Sequence, residues 1–225
     1  IKGGRPGRWM SPLVGVERDA DVVLAVREAV GPEPRIMVDA NFGYDGRIDL
    51  LEDFIRETLP ANLFWMEEMV TADVSDYRVL RRIKDRLGSE ALLVCGEVDT
   101  DPPSPVFRDL AESGLIDGYQ PDIVVAGFSR WLALEKWLKP INVIAQPRNF
   151  GNANFGNRAT LVFGAASPTF LMLEDERYRP NVYAPDDVSF ADGAYSVPSK
   201  PGLGLTIDTE LYQRKFTNYE VRVGP

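Results

Sequence analysis

The sequence predicts a parallel (β/α) barrel, on three observations. Short apolar runs alternate with longer amphipathic segments along 225 residues, which is the pattern of repeated βα units. Each apolar run closes on a polar residue, in turn Asp39, Glu67, Glu97, Asp122, Gln146 and Glu174, at spacings of 28, 30, 25, 24 and 28 residues. A doubly wound open sheet would gather its ligands at one switch point, whereas six polar strand ends in turn suit a closed barrel whose strands converge on one C-terminal rim.

Taken in order, the predicted strands cover 35–39, 63–67, 92–97, 118–122, 142–146 and 170–174, with helices at about 18–30, 48–58, 73–87, 104–114, 127–138 and 156–166. Asp73 or Ser75 is placed to cap the third helix, and Pro102-Pro103-Ser104-Pro105 suits the start of the fourth, where a missing N–H costs little. After Glu174 the alternation stops. Residues 178–225 are rich in Pro, Gly and Asp with weak strand signals, and are expected to pack across the barrel or onto an N-terminal part that precedes Ile1.

Composition removes several function classes. With 44% hydrophobic and 26% charged residues the chain is ordinary globular material, able to bury a sizeable core. No apolar run approaches the roughly 18 to 20 residues needed to span a bilayer, so no membrane insertion is expected. A net charge of -9 argues against nucleic acid, which needs a clustered basic face. The single cysteine, Cys95, sits in an apolar run and reads as a small core residue, in keeping with a reducing cytoplasm. The count of zero histidines decides most: His-dependent triads, His general bases and His zinc sites are impossible within this chain. A metal would have to be held by oxygen, which favours a hard cation such as Mg2+, with Mn2+ as the alternative.

Three acids carry the chemical expectation. Asp39 follows Ile36-Met37-Val38, Glu67 follows Leu63-Phe64-Trp65-Met66, and Glu97 follows Val94-Cys95-Gly96. One Asp at a strand end is ordinarily a turn or cap residue. Three acids on consecutive strand ends, however, would repel each other in a shared cleft unless a cation offset them. Of the adjacent pair Glu67 and Glu68, only one can face that cation, because neighbouring strand residues point to opposite faces.

At these positions the sequence resembles the enolase superfamily, and within it the mandelate racemase/muconate-lactonizing subgroup. The resemblance runs through Lys2-Gly3-Gly4, Val38-Asp39-Ala40-Asn41, Trp65-Met66-Glu67-Glu68, Gly96-Glu97, Gln120-Pro121-Asp122, Leu173-Glu174 and Pro201-Gly202-Leu203-Gly204. It implies a TIM-like (β/α)7β barrel whose first strand and α+β capping domain lie outside this chain. Residues 1–182 would then hold barrel strands 2 to 8, and 183–225 a tail packing on the barrel or the capping domain. Asp39, Glu67 and Glu97 resemble the family's metal ligands, and Glu68 the supporting acid of the Glu-Glu pair. Asn41 falls where members keep a polar residue near the substrate. Lys2 resembles the second lysine of a Lys-x-Lys motif, the general base that removes a proton α to a carboxylate. Glu174 resembles the eighth-strand acid that hydrogen-bonds the substrate carboxylate. The family's homo-oligomers are implied as well.

The departures narrow the chemistry. Asp122 stands where the racemase pattern pairs an Asp with a His on the next strand, but that strand reads Ile144-Ala145-Gln146-Pro147-Arg148, and no lysine follows Asp122. With no second base, the expectation is one-sided proton abstraction from a small-molecule carboxylate with enediolate stabilisation, most simply the dehydration of an acid sugar. A racemase, epimerase or cycloisomerase of the same superfamily, and a metal-binding protein without turnover, are the alternatives. Gln146 and Arg148 are candidate substrate-binding residues, Arg148 being either a cation for a distal carboxylate or the partner of a rim acid such as Asp175. The amide-rich stretch from Asn149 to Asn157 is either a polyol-binding loop or the turn into the next helix.

Overall fold

The computed structural model describes residues 12–151, 153–175, 182–185 and 188–216. Five short strands, β1 (Met37–Asp39), β2 (Trp65–Glu67), β3 (Leu92–Cys95), β4 (Gly118–Tyr119) and β5 (Ile144–Ala145), form one sheet in chain order. Every neighbouring pair is parallel. Strand order that never reverses is what a barrel requires, and the helices between successive strands supply the crossovers. These are α2 (Ile48–Thr58), α3 (Val74–Leu87), α4 (Pro105–Glu112) and the one-turn α5 (Ile123–Ala126) with α6 (Phe128–Leu138), while α1 (Pro12–Val30) precedes β1 and α7 (Ala153–Ala166) follows β5.

Local chemistry explains the ends of these elements. Asp73 caps α3 by accepting from the N–H groups of Ser75 and Asp76, and Gly88 closes that helix in the left-handed conformation. Pro105 occupies the first position of α4 after Ser104. On α2, Leu50, Leu51, Phe54, Ile55 and Thr58 are buried at the spacing that lines one helical face. Strand residues Val38, Met66, Leu93, Val94 and Cys95 are almost fully buried, as a sheet covered by helices demands.

The expected strand at 170–174 is a correction: it joins no ladder among the described residues. Side chains replace the backbone pairing. The Ala145 N–H donates to Thr169 Oγ1, and the Gln146 amide both donates to the Met172 carbonyl at 2.6 Å and accepts from the Met172 N–H at 3.3 Å. Pro147, which has no N–H to give a ladder, follows at once. Phe170 is anchored instead on α7, edge-on to Phe163 and over Gly164, where a Cβ would lie 2.5 Å from its ring.

The tail holds more regular structure than its composition suggests. β6 (Tyr183–Pro185) pairs antiparallel with β9 (Leu205–Ile207), β7 (Phe190–Ala191) pairs with β8 (Ala194–Tyr195), and α8 (Thr209–Phe216) follows. Asp192 and Gly193, both at positive φ, make the two-residue turn that the twist of a hairpin favours. The tail leans on α7, with Asn154 donating to the Tyr183 carbonyl and Phe155 against the Tyr183 ring. No described helix is long and apolar enough to cross a membrane.

Candidate metal centre

Asp39 and Glu67 end their strands as register partners across β1 and β2, so their side chains leave the sheet on the same face about one strand spacing apart. Glu97 arrives by a different device. The chain leaves β3 through Gly96 at φ +119°, and a Cβ there would lie 2.7 Å from the Tyr119 ring, so the turn that delivers Glu97 needs glycine. One carboxylate oxygen from each of Asp39, Glu67 and Glu97 then lies within 4.8 Å of the other two.

Each acid is held. Asp39 accepts from the Asn41 N–H at 2.8 Å and lies within reach of the Asn41 amide, at 3.3 and 3.5 Å. Glu97 pairs with Arg148 at 2.8 Å. Burial and the neighbouring Asp39 push the Glu67 carboxyl up to about 8, with Glu174 and Glu97 adding and the Gln120 side chain opposing. Glu68, 1% exposed, accepts from the Gly96 and Glu97 N–H groups, fastening the end of β2 to the turn after β3. Burial and Glu97 push its carboxyl up to about 7. Its φ of +43° is a strained backbone, as are those of Asn41 and Phe42 at the same rim, and such strain collects where function fixes geometry. A cage of three converging oxygens with too little positive charge fits a hard divalent cation.

The remaining candidates divide. Glu174 accepts from the Asn149 N–H at 2.6 Å and lines, with Glu67, Gln120, Gln146 and Arg148, a cavity of about 130 Å³ beside the cage. Asp122 caps α5, accepting from the N–H groups of Val124 and Val125. Arg148 also lies 5.1 Å from the Phe150 ring centroid. Asn149 and Asn157 are buried and bonded to each other and to the Glu174-Asp175 segment, so these two amides brace the rim from inside. Lys2, with Gly3 and Gly4, lies outside the described residues.

With this geometry in view, comparison with known proteins is decisive for the family: the model described as enolase C-terminal domain-like matches residues 1–211. The chain belongs to that family. Within the mandelate racemase/muconate-lactonizing branch of the enolase superfamily, this enolase-like barrel is 25% identical to a 3,6-anhydro-α-L-galactonate cycloisomerase of Streptomyces coelicolor, over 95% of the chain and 54% of that protein. It is 28% identical to a D-galactarolactone cycloisomerase of Agrobacterium fabrum, over 87% of the chain and 53% of that protein. A galacturonate dehydratase from Geobacillus sp., solved with D-galacturonate and 5-keto-4-deoxy-D-galacturonate, superposes with a TM-score of 0.85 at 29% identity, covering 97% of this chain and 58% of that one. A mutant of a galacturonate dehydratase from Geobacillus sp. was solved with Mg. The chain spans about half the length of the curated relatives it matches.

Two rim residues of the enolase-like barrel had no assigned role in the sequence. Gln120, 3% exposed, lies against Glu67, and only its place two residues before Asp122 marked it. Asp99, 5% exposed, receives the Tyr119 hydroxyl at 2.5 Å and so braces the ring that packs over Gly96. No periodicity points to either.

Proposed function

We propose that this chain is the catalytic barrel of a Mg2+-dependent acid-sugar dehydratase, with Mn2+ as a substitute ion. The observation that carries the reading is the convergence of three carboxylates, from three consecutive strand ends, within 4.8 Å. Asp39, Glu67 and Glu97 would hold the ion, which would withdraw charge from a substrate carboxylate and make its α proton acidic.

The chain's own residues supply the rest. Lys2 removes the α proton. Glu174, in its protonated form, hydrogen-bonds a substrate carboxylate oxygen. The β hydroxyl then leaves as water, its oxygen protonated by the proton that Lys2 took from the α carbon. Asn41, Gln146 and Arg148 border the substrate, and Glu68 supports the cage. Asp122 stands where a two-base enzyme keeps half of a dyad, but its neighbours on the next strand are Gln146 and Arg148, so proton transfer from one face is favoured. A cycloisomerase is the second reading, favoured by the names of two relatives. The reading extends to cytoplasmic residence and a homo-oligomer.

The test uses the full-length protein with Mg2+ and a panel of uronates, aldonates and anhydro-sugar acids in deuterated solvent. Exchange of the α proton and formation of a 2-keto-3-deoxy acid are expected, with Lys2→Met abolishing both. Ring opening without dehydration would replace the first reading by the second, and inversion at the α carbon would overturn both.

A further inference from the structure

Arg148 occupies an unusual place: a guanidinium paired with one of the three acids that face a cation. Its Nη2 lies 2.8 Å from Glu97 Oε1, and the two side chains are only 19% and 15% exposed, so water screens the pair weakly. The arginine is anchored at both ends. Its N–H donates to the Pro121 carbonyl at 3.2 Å and its carbonyl accepts from the Ile123 N–H at 3.0 Å, while the guanidinium lies 5.1 Å from the Phe150 ring centroid. Asn41, which holds Asp39, and Gln120, which lies against Glu67, are neutral amides; Arg148 brings a full charge.

We propose that Arg148 is a positioning residue that acts as a resident counter-cation, keeping the carboxylate cage assembled when no divalent ion is bound and weakening the binding of that ion. The inference rests on the assignment of Asp39, Glu67 and Glu97 as ligands made above. Three acids this close cannot share a cleft without compensation, and a fixed guanidinium provides part of it permanently. Once a divalent ion enters, the same guanidinium stands one carboxylate away and repels it. Arg148 therefore trades affinity for a cage that is ordered in advance.

The test takes full-length Arg148→Met, Arg148→Lys, Glu97→Gln and the Arg148→Met/Glu97→Gln double variant through thermal denaturation in chelator, and through Mg2+ titration by calorimetry. Metal-free Arg148→Met should melt several degrees below the parent, with the deficit closing as Mg2+ saturates the site. Its Mg2+ affinity should rise roughly tenfold, the effect expected when a nearby like charge is removed. Arg148→Lys should keep most of the metal-free stability. In the Glu97→Gln background, Arg148→Met should cost nothing further. A deficit that is the same with and without Mg2+, or that persists when Glu97 is neutral, overturns the proposal, as does weaker Mg2+ binding by Arg148→Met. If the parent itself binds no Mg2+, the proposed function fails, while the metal-free double-variant cycle still decides the pairing. If Arg148→Met does not fold, Arg148→Lys with Glu97→Gln decides it in the same way.

Discussion

On one side of the rim, Asp39 and Glu67 ride on backbone pairing, β1 against β2 and β2 against β3; on the other, Glu174 sits outside any ladder among the described residues and is held by single bonds between side chain and backbone. The first arrangement is rigid because every residue of the ladder shares the load, and a displaced acid would need a strand to move. The second depends on a few amides. Gln146 takes the Met172 backbone groups, the Asn149 N–H takes the Glu174 carboxylate, and Asn157 and Tyr195 take Asp175. The metal side of such a site should tolerate little change in backbone and much in side chains, and the acid side the reverse.

Gly96→Ala is the strongest attack on the ladder side. A Cβ 2.7 Å from the Tyr119 ring, at a φ that side chains seldom adopt, forces the turn to open and moves Glu97 away from its partners. Calorimetry should show Mg2+ binding weakened by more than about 100-fold, and denaturation a loss of roughly 2–3 kcal/mol. Retained Mg2+ affinity would mean that Glu97 is not delivered by this turn.

The crowding of acids on the same side predicts a pH dependence. In the metal-free protein Glu67 is pushed up to about 8 and Glu68 to about 7, both mainly by burial. The folded state therefore keeps protons that the unfolded chain releases, and these two groups make stability fall as pH rises from about 4.5 toward 8. Each unit of displacement corresponds to about 1.4 kcal/mol, so the loss should reach a few kcal/mol. Saturating Mg2+ should flatten the profile, because a bound cation favours the ionised ligands. Denaturant melts across this range with chelator and with Mg2+ check it, and a flat profile in chelator would remove the crowding argument.

The two sides were also unequally legible. Asp39 and Glu67 could be found because each ends an apolar run whose burial is written in its composition, and Glu97 because Gly-Glu repeats the arrangement. The helices from α2 to α6 were readable from apolar period, except the single turn of α5, which rests on the Asp122 cap and is too short to show a period. Stitches between side chain and backbone have no period at all. Gln146, a candidate substrate contact that lines the cavity, also engages Met172 through its amide, and Arg148, expected either to bind a distal carboxylate or to pair with a rim acid such as Asp175, pairs with Glu97. The Asp192-Gly193 turn signal was present, but strands of two residues on either side gave it nothing to join.

The smallest effect should come from the stitched side, and it separates placing an acid from holding a metal. Asn157 donates to Asp175 at 2.8 Å and accepts from buried Asn149, whose own N–H holds Glu174. Asn157→Leu takes one of two acceptors from the Asn149 amide, whose Nδ2 keeps only the Glu174 carbonyl, and takes a donor from Asp175, at a cost of about 1–3 kcal/mol. Glu174 should loosen, lowering kcat by roughly tenfold for a hydrogen bond made to the reacting carboxylate, while Mg2+ affinity stays at the parent value because no ladder residue has moved. Tyr195→Phe removes one bond to the same Asp175 from an outer hairpin and should cost about 0.5–1 kcal/mol with little change in rate. If Asn157→Leu weakens Mg2+ binding as much as it lowers kcat, the two sides of the rim are one mechanical unit and the contrast between ladder and stitch is wrong.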